Sequence, residues 1–429
     1  YSLSKIDKNF IEKYAIHEVI ISIQNITSTN LLEITDELLK LDLKVKIVPP
    51  LSKWIEGDLK ANQIKSVNID DLLGREQINI DNPFVKRKVA NKVILITGAA
   101  GSIGGELSRQ LASYPIQKLI LVDQAESALY DLQQELIESG HTDFVAIVAD
   151  VRDRPRMEEI FKKYKPQRVF HAAAYKHVPL MEQSPYEAVK INILGTKNIA
   201  DLSLANEVER FVMISTDKAV NPTNVMGATK RVAEMYISCL SKKSTVTKFT
   251  TTRFGNVLGS NGSVIPLFKR QIENGGPLTV THKEITRYFM TIPEACMLVL
   301  EAGTMGKGGE IYIFDMGKAV KIFNLAKRMI ALSGLKYPEE MDIEFTGLRP
   351  GEKLYEELLA NGENTINTYH EKIMIANVQT VNDGFVYALI KQLYVKRDSI
   401  TNTEIVRILK EIVPEFVSNN SIYEKLDSK

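Results

Sequence analysis

The sequence from residue 92 to residue 104 reads Lys92-Val93-Ile94-Leu95-Ile96-Thr97-Gly98-Ala99-Ala100-Gly101-Ser102-Ile103-Gly104. Its first half is an apolar, mostly β-branched run that predicts a buried strand, and its second half has the spacing GxxGxxG. A glycine turn between a strand and a helix leaves free N–H groups at the positive end of the helix dipole, where a pyrophosphate can bind. The stretch therefore predicts the first βα unit of a dinucleotide-binding fold, with cofactor contacts at Gly98, Gly101, Ser102, Ile103 and Gly104.

The next predicted strand, residues 118–123, ends in Asp123, about 20 residues beyond the last glycine. A carboxylate at this spacing bonds ribose hydroxyls and repels a 2′-phosphate, which favours NAD over NADP. Asp150 and Val151 end the third predicted strand and are expected to contact the adenine. A glycine turn that only packs a helix against a strand is the alternative, but the acidic residue and the βαβ frame favour an NAD site.

The amino-acid composition excludes several classes of protein function. The chain has 429 residues, with 54 Lys+Arg against 53 Asp+Glu, so it lacks the basic excess of a general nucleic-acid binder. Its hydrophobic fraction of 44% and charged fraction of 25% are typical of a globular protein. Cys239 and Cys296 fall in apolar helical patterns, and the absence of a CxxC or His/Cys cluster predicts no metal site. The sequence given predicts no signal peptide, and it has no apolar run long enough to span a membrane.

Apolar runs alternate with amphipathic stretches, which predicts an α/β protein with a doubly wound parallel sheet. Further strands are expected at residues 144–150, 168–172, 210–216 and 248–253. Between them, Met157, Ile160, Phe161 and Tyr164 follow helical spacing, and Pro166 ends that helix.

Four regions are expected along the chain: an N-terminal βαβ module with its linker at 1–85, the NAD-binding Rossmann domain at 86–256, a partly interleaved α/β substrate lobe at 257–380, and a helical tail at 381–429. The first module has strands at 18–23 and 44–48 around a helix at 31–41. Its turn at 24–27 lacks glycine, so a structural or docking role is favoured over a nucleotide site. The mostly polar stretch 79–88 is expected to be the linker.

Two motifs follow the fifth predicted strand of the Rossmann domain. The sequence reads Ser215-Thr216-Asp217-Lys218 and, further on, Met226-Gly227-Ala228-Thr229-Lys230. With the glycine turn, these motifs resemble the extended short-chain dehydrogenase/reductase superfamily, and more closely its nucleotide-sugar 4,6-dehydratases that act on UDP-N-acetylglucosamine. The resemblance covers about residues 90–380 and includes His171–His177, Arg253–Ser260 and Arg349–Lys353.

The resemblance implies a mechanism in which C4 of the sugar is oxidised so that the C5 proton becomes acidic. It implies Asp217 as the acid that expels the C6 hydroxyl and Lys218 as the base at C5. Burial would raise the pKa of the first and lower that of the second, as such roles require. Thr216 should bond the C4 hydroxyl, and Lys230 should hold the nicotinamide ribose. A solvated turn pair is the alternative for Asp217 and Lys218.

Met226 occupies a position where the superfamily usually has a tyrosine that carries a proton. A thioether has no proton to exchange, so Met226 cannot be a general base. Met at this position is found in the long, membrane-anchored dehydratases, and it counts against a 4-epimerase. It either lines the pocket or only packs on its helix.

The resemblance assigns the remaining site residues. Cofactor contacts are expected from Ala172, Ala173, Ala174, Ser215 and Lys230. Substrate contacts are expected from Lys176 and His177 near the sugar, Asn256, Arg287 and Arg349 at the diphosphate, Glu352 at the uridine ribose, and Thr281 at the uracil. An exposed surface arginine is the alternative for Arg287, and His171 is expected to be a core histidine.

The function implied is NAD-dependent dehydration of UDP-N-acetylglucosamine to UDP-2-acetamido-2,6-dideoxy-α-D-xylo-4-hexulose, retaining C5 configuration, for bacterial glycan or polysaccharide synthesis. A C5-inverting dehydratase, a 4-epimerase and an inactive nucleotide-sugar-binding regulator are the alternatives. A homodimer or larger homo-oligomer is expected. Because the sequence starts at Tyr1, it is expected to be the soluble part of a protein anchored at the cytoplasmic face of the inner membrane.

Overall fold

The computed structural model describes residues 6–24, 26–41, 43–49, 65–67, 82–359, 364–377, 382–395 and 400–427. The chain forms two compact units, and each unit is assembled from segments that are distant in sequence. The first unit comprises Tyr1–Gln77, Leu258–Thr291 and Ala319–Gly347. The second unit comprises Ile78–Val257, Ile292–Lys318 and Leu348–Lys429.

The second unit is built on a sheet with nine strands among its described residues. From edge to edge these are Asn364–Asn367, Ile373–Asn377, Ile311–Phe314, Lys248–Arg253, Arg210–Ile214, Arg168–His171, Val93–Thr97, Lys118–Asp123 and Phe144–Val148. The last seven run parallel to one another, and the first two add an antiparallel hairpin. The predicted α/β class and doubly wound parallel sheet are therefore confirmed.

The strand before the glycine turn occupies the point where the strand order reverses. Val93–Thr97 lies between Lys118–Asp123 on one side and Arg168–His171 on the other. Ile94, Leu95 and Ile96 are fully buried, as expected for a strand covered on both faces. Ligands of open α/β sheets bind beyond the carboxyl ends of the strands at such a reversal. The fold therefore places the glycine turn where a ligand is expected to bind.

Helices cover both faces of this sheet. They are Pro83–Val89, Ser102–Ala112, Glu126–Glu138, Arg154–Tyr164, Val178–Gln183, Pro185–Ala188, Thr196–Ala205, Val225–Lys243, Ile292–Met305, Asp383–Val395 and Asn402–Ile412, with a π-helix at Val189–Gly195, 3₁₀ turns at Asp217–Ala219 and Glu424–Leu426, and a short strand at Asn256–Val257. None of the helices in the described ranges is both long and apolar enough to cross a bilayer.

The amphipathic helix predicted before Pro166 is confirmed at Arg154–Tyr164. Met157, Ile160 and Phe161 are buried against the sheet. Lys165 takes a left-handed conformation at its end, which stops the helix just before the proline. In the same way, the predicted helical periodicity of the tail is confirmed at Asp383–Val395.

The first unit contains the N-terminal βαβ arrangement that the sequence predicts. Strands Glu18–Ile21 and Lys44–Ile47 pair in parallel, with helix Ser28–Leu39 between them. Its other elements are Lys8–Tyr14, Lys65–Ser66, Val264–Glu273, Leu278–Val280, Thr286–Arg287, Phe289–Met290, Val320–Lys321, Ile322–Leu332 and Ile343–Phe345. Arg328 pairs with Asp36 at 2.9 Å, so the N-terminal module packs against the segment 319–347.

The segments differ from the expected regions in two places. The described part of the expected linker is a helix, Pro83–Val89, whose polar residues lie outside while Val85 and Val89, four residues apart, are buried. Residues 257–380 divide between the two units, because Ile311–Phe314 and Ile373–Asn377 complete the nine-stranded sheet. These short buried strands could not be predicted, because the sequence around them is irregular and contains many Gly and Pro turns.

Candidate active site

The glycine turn is closed so tightly that side chains are excluded from it. Gly98 has φ of +69°, and a Cβ atom there would lie 2.6 Å from the backbone nitrogen of Ala173. A Cβ atom on Gly104 would lie 2.0 Å from the carbonyl oxygen of Gly98. Gly101 caps helix Ser102–Ala112 and is exposed. The turn therefore presents bare backbone at an open helix N-terminus, which is the form a pyrophosphate site takes.

The two strand-end aspartates are held by neighbouring backbone and side chains. Asp123 accepts hydrogen bonds from the amides of Ala100 and Ala125, both at 2.9 Å, so it ties its strand end to the glycine turn. Asp150 accepts from the amide and the Nε of Arg152, both at 2.8 Å. Burial raises the pKa of Asp150, but its bonds to Arg152 outweigh this and hold the pKa below the usual value. Both carboxylates are therefore held in place as hydrogen-bond acceptors at the ends of their strands.

The loop after strand Arg168–His171 packs directly on the glycine turn. The amide of Ala172 donates to Thr97 at 3.0 Å, and Ala173 lies against Gly98. His171 is buried between the hydroxyls of Thr97 and Thr196, at 2.7 and 2.9 Å from its ring nitrogens. Burial, with the charge of Lys230, lowers the pKa of His171 to about 3. The expectation that His171 is a core residue is confirmed.

The Thr216-Asp217-Lys218 motif lies just beyond the carboxyl end of strand Arg210–Ile214. Asp217 is fully buried, and its Oδ1 accepts from the Thr216 hydroxyl at 2.8 Å and from Lys218 Nζ at 3.0 Å. Its Oδ2 receives no hydrogen bond from the described residues. Burial raises the pKa of Asp217, Lys218 opposes this, and Glu356 adds to it. The pair is therefore not a solvated turn.

Lys218 is held by three oxygen acceptors. Its Nζ lies 3.0 Å from Asp217, 3.1 Å from Asn256 Oδ1 and 3.3 Å from Glu356 Oε1. Sequence reasoning identified Asp217 and Asn256 but missed Glu356. Glu356 and Glu357 are adjacent just after Arg349–Lys353, yet the Glu356 side chain is 2% exposed and that of Glu357 is 45% exposed. The sequence holds no signal for which of the two turns inward.

Helix Val225–Lys243 supplies two further predicted residues. Met226 is 2% exposed and belongs to the apolar core of the unit. Lys230, one turn further along, is buried and donates to the carbonyl of Ile214 at 2.7 Å. Burial lowers the pKa of Lys230 to about 8, although Glu234 opposes the shift. Lys230 can therefore exchange a proton near neutral pH.

Ser215, for which a cofactor contact is expected, donates a hydrogen bond from its hydroxyl to the buried ion pair of Glu234 and Arg253. It donates to Glu234 at 2.6 Å, and Arg253 donates to the same carboxylate at 2.9 and 2.7 Å. Burial raises the pKa of Glu234, but Arg253 more than offsets this and lowers it. The Ser215 side chain in this arrangement supports the ends of two sheet strands.

Arg349, the residue expected at the diphosphate, lies in a turn that is hydrogen-bonded to the N-terminus of helix Val225–Lys243. Its side chain is 57% exposed and pairs with Glu352 at 3.1 Å. Gly351 accepts a hydrogen bond from Asn224, the capping residue of the helix, at 2.9 Å. A Cβ atom on Gly351 would lie 2.5 Å from Asn224, so only glycine allows this approach.

The other predicted substrate residues are distributed between the units. Lys176 and His177 follow the alanine loop. Desolvation of its ammonium, together with the charge of Lys218, lowers the pKa of Lys176. Thr281 and Arg287 belong to the first unit. Arg287 is 8% exposed and donates to the carbonyl of Thr286 at 2.7 Å, so the alternative of an exposed surface arginine is wrong.

Comparison with curated proteins gives close relatives in polysaccharide synthesis. The capsular polysaccharide biosynthesis protein CapD of Staphylococcus aureus is 51% identical over 365 residues, covering 85% of this chain and 61% of CapD. The probable polysaccharide biosynthesis protein EpsC of Bacillus subtilis is 49% identical, covering 82% of this chain and 59% of EpsC. The chain thus spans about three-fifths of the length of these two relatives. The UDP-N-acetylglucosamine 4,6-dehydratase (inverting) of Campylobacter jejuni is 33% identical, covering 63% of this chain and 78% of that enzyme.

Solved structures give the same fold. Pen from Bacillus thuringiensis matches with a TM-score of 0.62 and 32% identity, covering 72% of this chain and 98% of Pen. The UDP-glucose 4-epimerase of Thermus thermophilus matches with a TM-score of 0.55 and 21% identity, covering 62% of this chain and 90% of that enzyme, and so supports the fold alone. Residues 94–378 match the family described as polysaccharide biosynthesis protein. Because this match covers more than half of the chain, the chain belongs to the polysaccharide biosynthesis protein family.

Proposed function

We propose that the chain is an NAD-dependent hydro-lyase that converts UDP-N-acetylglucosamine to UDP-2-acetamido-2,6-dideoxy-α-D-xylo-4-hexulose with retention at C5. The observation that carries this proposal is the buried Asp217 carboxyl, 3.0 Å from the Lys218 amine at the carboxyl end of the sheet. An acid beside a base is what removal of water from adjacent carbons requires. The 33% identical dehydratase of C. jejuni supports the same reaction class.

The residues around the glycine turn fit NAD. Gly98 and Gly104 leave a cradle that a Cβ atom would fill, and Asp123 stands at the end of the adjacent strand. NAD, when bound, would supply the acceptor that takes two electrons from C4 of the sugar and returns them at C6. Lys230, with its lowered pKa, would hold the nicotinamide ribose and favour loss of the C4 hydroxyl proton. Thr216 would accept or donate at the C4 hydroxyl.

The protons balance over one turnover through two side chains. Lys218 takes the C5 proton, and Asp217 gives its proton to the C6 hydroxyl, which leaves as water. Lys218 then returns its proton to C5, and the proton released from the C4 hydroxyl replaces the one that Asp217 lost. A base that returns the proton from the side it came from retains the C5 configuration.

Met226 argues for dehydration over epimerisation. In the superfamily the residue at this position is usually a tyrosine that carries the C4 hydroxyl proton, and a 4-epimerase depends on it. A thioether cannot take that role. Within the second unit, substrate binding would use Lys176, His177, Asn256, Arg349 and Glu352.

The test is to incubate the purified chain with UDP-N-acetylglucosamine and to identify the nucleotide product by proton NMR and mass spectrometry. The proposal expects a 4-keto, 6-deoxy sugar with the D-xylo configuration. The L-arabino sugar would instead support the C5-inverting dehydratase, the activity named for the C. jejuni relative. UDP-N-acetylgalactosamine without loss of water would identify an epimerase, and an unchanged substrate would identify a binding module.

A further inference from the structure

Three ionisable side chains meet at the candidate acid and base. Lys218 Nζ lies 3.0 Å from Asp217 Oδ1 and 3.3 Å from Glu356 Oε1. The three side chains are 18%, 1% and 2% exposed, in that order. Glu356 comes from the segment after Lys353, far from the 217–218 turn in sequence. Two carboxyl groups therefore share one ammonium in a site that is nearly closed to water.

The charges of this cluster do not balance if every member is ionised. Two carboxylates and one ammonium carry a net charge of −1, and burial strongly disfavours an uncompensated charge. The positive charge of Lys176 also acts on Lys218, but Lys176 is only partly buried, and solvent weakens its effect on the buried groups. The cluster is therefore expected to hold one extra proton.

Asp217 and Glu356 each have one buried carboxyl oxygen that accepts no hydrogen bond among the described residues, and Asp217 is the more deeply buried of the two. Asp217 is therefore the better placed of the two to hold the extra proton. Its Oδ1 receives hydrogen bonds from Thr216 and Lys218, while its buried Oδ2 receives none from the described residues. A carboxylate oxygen without a donor is poorly stabilised as an anion and is stable as O–H. The raised pKa of Asp217, caused by burial first and then by Glu356 against Lys218, agrees with this geometry.

We propose that Glu356 is a positioning residue that sets the proton distribution of the catalytic pair, so that Asp217 keeps a proton while Lys218 can give one up. This inference rests on the proposed function. Without Glu356, Lys218 and Asp217 would form a simple ion pair, in which the acid has lost its proton and the base already holds one. With Glu356, an N–H bond of the ammonium can break as an O–H bond forms on Oε1, which leaves Lys218 a free amine and all three groups neutral.

The first test measures the resting protein and needs no turnover. The protein is labelled with ¹³C at aspartate carboxyls, and the C=O stretch of protonated Asp217, identified by its loss in Asp217→Asn, is titrated by infrared spectroscopy. In Glu356→Gln this band should disappear at a pH lower by about one unit or more, because a nearby negative charge has been removed. The control Glu357→Gln, which alters the exposed neighbour, should titrate like the parent.

The second test follows product formation against pH. The decline at high pH, where Asp217 loses its proton, should move to lower pH in Glu356→Gln and by a smaller amount in Glu356→Asp, which keeps a more distant carboxylate. Glu356→Asp also provides the test if Glu356→Gln does not fold. If Glu356 acted through packing alone, the substitutions would lower kcat but would leave the pH of this decline unchanged.

An Asp217 band and an alkaline limb that stay at the parent's pH in both variants would overturn the inference. Failure of the proposed function is distinguished from this, since the parent would then form no 4-keto product. The infrared titration would still decide whether Glu356 controls the proton on Asp217.

Discussion

Burial is what separates Asp217 from an ordinary surface aspartate. The residue is fully buried, and desolvation is the largest cause of its raised pKa. A carboxyl group whose pKa is raised keeps its proton to a higher pH and can give it to a leaving hydroxyl. The sequence predicted the pair from its motif, but burial at this site and the third member, Glu356, depend on segments that are distant in sequence.

Replacing Asp217 by Asn should remove the acid while keeping the size of the side chain. We expect kcat for water loss to fall by about 10²- to 10⁴-fold, the usual contribution of a positioned acid. NAD affinity, measured by fluorescence titration, should stay within about twofold of the parent because the glycine turn is unchanged. Turnover close to that of the parent would remove Asp217 from the acid role.

At the scale of elements, the strand–turn–helix unit could be predicted nearly completely. The apolar run before Gly98, the glycine spacing and Asp123 are local signals, and all lie where the sequence placed them. Helix Pro83–Val89 could not be predicted, because only two of its residues are buried and its charged residues are typical of a linker. Its burial comes from packing, which a local pattern does not contain.

Replacing Gly98 by Ala should damage the cofactor turn. The new Cβ would lie 2.6 Å from the backbone of Ala173 in a left-handed conformation, so the turn must open. We expect NAD affinity to fall at least about tenfold and the free energy of unfolding to fall by about 1–3 kcal/mol. Calorimetric titration and urea unfolding measure the two effects.

Gly140→Ala is the matched control for this substitution. Gly140 also has a positive φ, of +80°, but apart from its chain neighbours no atom of the described residues lies within 4 Å of the added Cβ. It should lose about 1 kcal/mol of stability and keep the parent's NAD affinity. If both variants lose NAD binding equally, close packing of the turn is not what holds the cofactor.

At the scale of the whole molecule, distant segments complete the second unit. Asn419, near the end of the chain, accepts from the Gly351 amide at 2.7 Å and donates to the Glu352 carbonyl at 2.9 Å. The tail thus fixes the turn that carries Arg349. Sequence patterns could not predict this contact, because it joins residues about 70 positions apart.

Replacing Asn419 by Ala should loosen this turn without reaching the cofactor. We expect KM for UDP-N-acetylglucosamine to rise by about three- to tenfold, corresponding to a lost hydrogen bond of about 1 kcal/mol, while kcat and NAD affinity change little. Val417→Ala is the control, since Val417 is 57% exposed in the same segment. A fall in kcat with KM unchanged would show that the tail acts on the chemistry instead.

The most direct test of the account is deuterium incorporation at C5, because it reports the base independently of water loss. The parent, Asp217→Asn and Lys218→Met are each incubated with UDP-N-acetylglucosamine in deuterated water, and C5 is examined by NMR. We predict deuterium at C5 in the 4-keto product of the parent, exchange without water loss in Asp217→Asn, and no deuterium at C5 in Lys218→Met. Deuterium at C5 from Lys218→Met would contradict the account, since the base would then lie elsewhere.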